Sequence, residues 1–194
     1  MEGRRVRKCG GQRPPLNEKE NMAQQQFSLA QLFLWLFVIV LGIELGAGLY
    51  ETLVVLPLWS QSPPESVIAY YNHNKEFPQF ALNAGGRFWM VNTPLTGLTA
   101  LAALISGFGT QPAHRKWRII ASVLALIVVI WTFAWFVPNI MLLYFHATEV
   151  SGEQLAGVAN WWVRLNWIRV VIYSAAWLAA LYTMTIPPRK TTEL

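Results

Sequence analysis

The sequence predicts an all-α protein, a bundle of four transmembrane helices with both termini on the cytoplasmic side. Three observations predict it. The 194 residues are 54% hydrophobic and only 13% charged, a balance that suits a chain embedded in lipid. Four apolar runs, roughly 28–57, 89–109, 118–138 and 163–186, each reach the ~20 residues needed to cross about 30 Å of hydrocarbon. Basic residues gather before the first run, between the second and third, and after the fourth. Retention of Lys and Arg in short cytoplasmic loops produces that alternation for four spans, with N-in and C-in topology.

Taken in order, residues 1–24 combine Arg4, Arg5, Arg7, Lys8, Arg13 and Lys19 with Gly10, Gly11, Pro14 and Pro15. Such a composition cannot bury enough apolar surface to order itself, so it reads as a flexible basic cytoplasmic tail. Met22 offers a second start, which would make residues 1–21 an extension. Residues 25–188 are then the four-helix membrane domain. The first run is longer than the hydrophobic region of a signal peptide and ends in no small-residue cleavage site, so it is a retained helix.

Ser62, Pro63, Pro64 and Glu65 make a capping-box pattern with Pro at the first helical position, which predicts a short surface helix through Tyr70 and Tyr71 in the first outer loop. His114, Arg115, Lys116 and Arg118 form the basic inner loop, and Arg189 and Lys190 the basic C-terminus. Ser151 followed by Gln154 repeats the capping pattern, so the last helix begins near Gly152, ahead of the membrane. Most of the ten Trp stand at the ends of apolar runs, where an amphipathic ring is favoured at the headgroup level.

Several function classes are excluded. The net charge of +5 is concentrated in the tail and one short loop, a placement that serves topology rather than nucleic acid. Cys9 is the single cysteine, so there is no intrachain disulfide and no cysteine-rich metal site. His73, His114 and His146 fall in loops and none has a helical partner at ligand spacing; His146 and Glu149 supply two ligands at most, so no metal is expected. The chain has no aspartate, hence no Ser-His-Asp triad, and no glycine-rich phosphate loop, hence no expected cofactor.

Polar residues interrupt the spans in a pattern. Glu44 and Glu51 are seven apart and share nearly one helix face. Intramembrane carboxylates are costly and should face the bundle interior. Gly42, Gly46 and Gly48 lie near that stripe and would let another helix approach. On the last helix Trp162, Asn166, Arg169 and Tyr173 recur at spacings of four, three and four, again one face; Arg164 points elsewhere and suits the headgroup region. At 1.5 Å per residue, Glu51 lies about 9 Å and Glu44 about 20 Å below Pro57, while Arg169 lies about 10 Å and Tyr173 about 16 Å below Trp162. Glu51 and Arg169 are therefore expected to pair, and Tyr173 to bond Glu44. Arg87, Asn92 and Asn139 fall in the same outer zone, whereas the inner halves of the second and third spans read as almost wholly apolar.

The segments Gly48-Leu49-Tyr50-Glu51-Thr52, Val55-Leu56-Pro57-Leu58-Trp59, Phe136-Val137-Pro138-Asn139 and Trp162 through Arg169 resemble the anthrone oxygenase-like family of small four-helix membrane proteins. The resemblance covers roughly residues 30–186. It implies, for a few members, cofactor-independent oxygenation of a polycyclic anthrone; here Glu51 and Arg169 would be the catalytic candidates, one deprotonating a carbon acid and the other stabilising the enolate.

Two readings follow. In one, Glu44, Glu51, Asn92, Asn139, Trp162, Asn166, Arg169 and Tyr173 line an outward-facing pocket for a small lipophilic ligand. In the other the protein is a structural or accessory membrane subunit and the cluster only fixes helix packing. Either way the expectation is a multi-pass protein of the bacterial plasma membrane, with the lipid bilayer as its partner.

Overall fold

The computed structural model describes residues 18–75 and 84–187; of the flexible tail expected over 1–24, residues 1–17 lie outside the described residues, as do Arg189 and Lys190, while residues 18–24 are helical and belong to the first helix. Helix α1 (Glu18–Tyr50) passes through a π-helical turn (Glu51–Val55) into α2 (Leu56–Ser60). A short helix, α3 (Glu65–Lys75), precedes α4 (Ala84–Gly107). Next come α5 (Pro112–Trp131), a second π-helical turn (Thr132–Phe136) and α6 (Val137–Phe145), and finally α7 (Gly152–Thr185). Four helical stretches are long and apolar enough to cross a membrane: Leu29–Ser60, Gly85–Gly107, Pro112–Phe145 and Gly152–Thr185.

These bounds correct the expected spans. The first and third were expected to stop at Pro57 and Pro138, but both helices run past their prolines. Proline lacks an N–H and presses its ring on the carbonyl four residues back. A wider turn just before each proline relieves both conflicts: the N–H of Leu56 bonds the carbonyl of Glu51, and that of Val137 bonds the carbonyl of Thr132.

The two predicted caps fare differently. Ser151 accepts from the backbone N–H of Gln154 at 3.2 Å and starts α7 as expected. At α3 the hydroxyl of Ser66 replaces the predicted Ser62 and Glu65 pair: it accepts from the Ser62 N–H at 3.2 Å and donates to the Trp59 carbonyl at 2.7 Å. That bond ties α3 back onto α2.

The long helices close a ring in which α1 and α5 each pack on both α4 and α7. Two apolar clusters fill it. One, near the turn Phe108–Gln111, joins Leu34, Phe37 and Leu41 to Ala100, Ala103, Ala121, Ala125, Ala176 and Ala180; alanines there let the helices approach closely. The other lies beneath α3 and is aromatic, with Trp59, Tyr71, Phe136, Tyr144 and Trp162. Of the predicted glycine stripe, Gly42 meets the Trp177 indole, Gly48 makes ordinary contact with Val170, and Gly46 faces open space. The outer faces carry Leu32, Ile39, Leu98, Ile130, Val171 and Leu178, all exposed, a surface that suits lipid rather than water.

Candidate functional site

Between the two apolar clusters lies a belt of polar side chains drawn from α1, its π-turn, α4 and α7. Glu44 is its deepest member and is fully buried. Its carboxylate accepts from Asn92 Nδ2, from Thr93 Oγ1 at 3.1 Å and from Tyr173 OH at 3.3 Å, and Thr96 Oγ1, 3.3 Å away, shares its one proton between this carboxylate and the Asn92 carbonyl at 2.9 Å. Both oxygens are thus occupied, and one carboxylate links three helices. A buried carboxylate is retained only where donors replace its water in this way.

Two turns closer to α3, the π-turn carries Glu51 and Thr52. Glu51 pairs with Arg169 at 3.3 Å and keeps 16% of its side chain exposed. The Arg169 guanidinium also lies over two aromatic faces, 4.6 Å from the Phe136 ring centre and 5.2 Å from that of Trp89, so its charge is held by a carboxylate and two π-systems together. The expected Glu51–Arg169 and Glu44–Tyr173 contacts are therefore both present.

Asn166 completes the belt. Its Nδ2 donates to Thr52 Oγ1 at 2.7 Å, and Thr52 Oγ1 donates to the Gly48 carbonyl at 2.6 Å. Because the threonine spends its only proton on that carbonyl, it can only accept from Asn166, which fixes which way the amide faces. Asn166 Oδ1 is left buried without a partner. One helical turn away the Trp162 indole N–H faces the Glu51 carboxylate but closes no hydrogen bond. The site therefore keeps one free acceptor, Asn166 Oδ1, on the same face of α7 as an indole N–H directed at Glu51.

The other sequence candidates separate. Asn92 joins the belt at Glu44. Asn139, expected just beyond the end of the third span, is a residue of α6 and donates to the carbonyl of Trp135 at 2.7 Å, which serves its own helix. Arg164 stands over the Trp161 ring at 5.8 Å, and Arg87 is exposed. His146 and Glu149 bond each other at 2.8 Å on the surface. Among the described residues no three His, Cys, Asp or Glu side chains gather as a metal set.

Sequence reasoning missed Thr52, Thr93 and Thr96, because threonine in an apolar helix commonly satisfies itself on the carbonyl one turn back. It also placed His114 and Arg118 in a loop: both are buried helix residues of α5, so the third span is not apolar at that end.

Fold and site together define an all-helical bundle of four membrane-length helices with an interior polar belt. Compared with family models, with curated proteins and with solved structures, the chain finds no match.

Proposed function

We propose that the protein is a multi-pass protein of the plasma membrane, both termini inside, that holds a small lipophilic molecule with a hydroxyl or phenol headgroup in the outer half of its bundle. The observation that carries this reading is the unused Asn166 Oδ1, buried on the face of α7 that also directs the Trp162 indole N–H at Glu51. A buried polar atom without a partner costs on the order of 1–3 kcal/mol. A ligand hydroxyl donating to the amide oxygen would relieve it.

Phe136, Trp135 and Trp59 pack directly on Trp162, at 4.9, 5.8 and 6.0 Å between ring centres, so a lipophilic ligand would lie against this aromatic wall rather than between its rings. With a carbon acid bound, Glu51 would take the proton and Arg169 hold the enolate oxygen, the chemistry that the anthrone oxygenase-like resemblance implies.

The accessory-subunit reading draws its support from Glu44, whose donors are all internal and leave nothing for a ligand. One experiment separates the two. The full chain is extracted in mild detergent and examined by native mass spectrometry beside the double variant Glu51→Leu/Arg169→Leu, which removes both charges and strands neither. The proposal expects a retained small molecule in the wild type and its loss from a variant of unchanged helicity. Equal occupancy in both, or a wild type carrying only detergent and bulk lipid, favours the accessory role.

A further inference from the structure

At the opposite end of the bundle, near the Phe108–Gln111 turn, a second set of polar side chains is buried and takes no part in the belt. His114, Arg118 and Ser122 follow one another at four-residue spacing on α5, so they stand on one face at successive turns about 6 Å apart. Arg118 is 1% exposed, and His114 and Ser122 are buried with it. The Nε2 of His114, the Nε and Nη1 of Arg118 and the Oγ of Ser122 all lack a hydrogen-bond partner. Every other buried cation or carboxylate described above has its counter-group; this guanidinium has none among the described residues.

The fold makes room for it. Gly107, the last residue of α4, lies against the arginine stem, and a Cβ there would stand 2.7 Å from Arg118 Cδ and 3.3 Å from Cγ. Any side chain at 107 would push the stem aside.

Depth identifies the complementary group. The stretch Pro112–Phe145 contains 34 residues, about 51 Å of helix, against about 30 Å of hydrocarbon. Shared between the two ends, the excess leaves about 10 Å of α5 beyond the hydrocarbon, and Arg118 lies about 9 Å along from Pro112. Helical side chains lean toward the N-terminus, so the guanidinium reaches the headgroup layer. Trp117 and Tyr182 meet edge-on at 5.0 Å beside it, a pair of the residue types that concentrate at the membrane–water boundary.

We propose that Arg118, flanked by His114 and Ser122, is a binding site for a phosphate-type oxyanion. The guanidinium offers the planar fork that matches phosphate oxygens, and the unpartnered ring nitrogen of His114 stands one turn nearer the headgroup layer. Exposed Arg115 and Lys116 raise the local anion concentration. The same chemistry is available from a phospholipid headgroup and from free phosphate. This site is independent of the reading given for the belt.

The test measures thermal unfolding of the full chain in mild detergent with phosphatidic acid added to the micelles, with inorganic phosphate, and with chloride at equal ionic strength. Binding predicts a rise of roughly 5–10 °C at a hundredfold excess over Kd. A response to the lipid alone identifies the headgroup, and a response to phosphate alone the free anion. Arg118→Met abolishes the rise. Arg118→Lys, which keeps the charge and loses the fork, weakens binding at least tenfold and carries the comparison if Arg118→Met does not fold. A wild type indifferent to both additives, or an equal rise in wild type and Arg118→Lys, overturns the proposal.

Discussion

Glu44→Leu is the sharpest test of the polar belt. The carboxylate accepts from four side chains, but two of them have alternatives. Thr96 already reaches the Asn92 carbonyl at 2.9 Å, and Thr93 can turn to its own helix as threonines do. Asn92 Nδ2 and Tyr173 OH are then stranded in the interior. At about 1–3 kcal/mol for each orphan the loss would be about 2–6 kcal/mol. Interhelical hydrogen bonds in membrane bundles average only about 0.6 kcal/mol, because the unfolded chain also finds partners, which places the expectation near the bottom of that range at about 2–3 kcal/mol. The argument concerns stranded donors, not the lost carboxylate as such. Adding Asn92→Leu and Tyr173→Phe should therefore restore at least half of the loss. The assay is denaturation in mixed detergent followed by tryptophan fluorescence and far-ultraviolet circular dichroism. A single variant destabilised by less than about 1 kcal/mol, or a triple variant no more stable than the single, refutes the reasoning.

Two further predictions use positions outside the belt. Gly42→Ala would place a Cβ 3.0 Å from Trp177 Nε1, which donates to the Val38 carbonyl at 3.2 Å; a loss of about 1–2 kcal/mol is expected, while Gly46→Ala, with nothing within 4 Å, should gain about 0.5–1 kcal/mol in the same unfolding assay. Tyr71, outside the membrane-length helices, has its phenol pushed well above the ordinary range, first by burial and then by neighbouring Tyr70, Glu51 and Tyr144. The neutral form belongs to the folded state, so its stabilising effect is complete below the ordinary phenol value of about 10 and is lost as pH rises through the raised folded value. Tyr71→Phe should flatten that alkaline decline in Tm measured against pH, and an unchanged decline refutes the assignment.

The four long helices were legible because a run of about 20 apolar residues has few other uses. The pairing of Glu51 with Arg169 and of Glu44 with Tyr173 was legible too, since constant helical rise converts residue number into depth. Asn139 was misplaced because Pro138 reads as a terminator, and nothing in a residue list says that a wider turn will carry the helix through it. Thr52, Thr93 and Thr96 look like Thr99, Thr132 and Thr183, which bond their own helix; only the arrival of Asn166 and Glu44 from elsewhere sets them apart. Arg118 is the strongest case. Charge beside other charges reads as a loop, and its burial depends on the absent side chain of Gly107 on a different helix.

The two π-helical turns have a consequence for phase. Glu44, Gly48, Thr52 and Leu56 are all buried at intervals of four. In an unbroken α-helix twelve residues at about 100° each would carry Leu56 about 120° away from Glu44. On the third long helix Val128, Thr132 and Phe136 follow the same interval. In each case one residue more than an α-turn holds is taken up on the outward side, where Leu53, Val54 and Phe133 are exposed. The interior stripe thereby runs straight from the polar belt into the aromatic cluster. Elsewhere in a helix, gaining or losing one residue rotates everything beyond it. At these two places, both on the border between belt and cluster, losing one residue would return the turn to α-helical winding and leave the faces on either side in step.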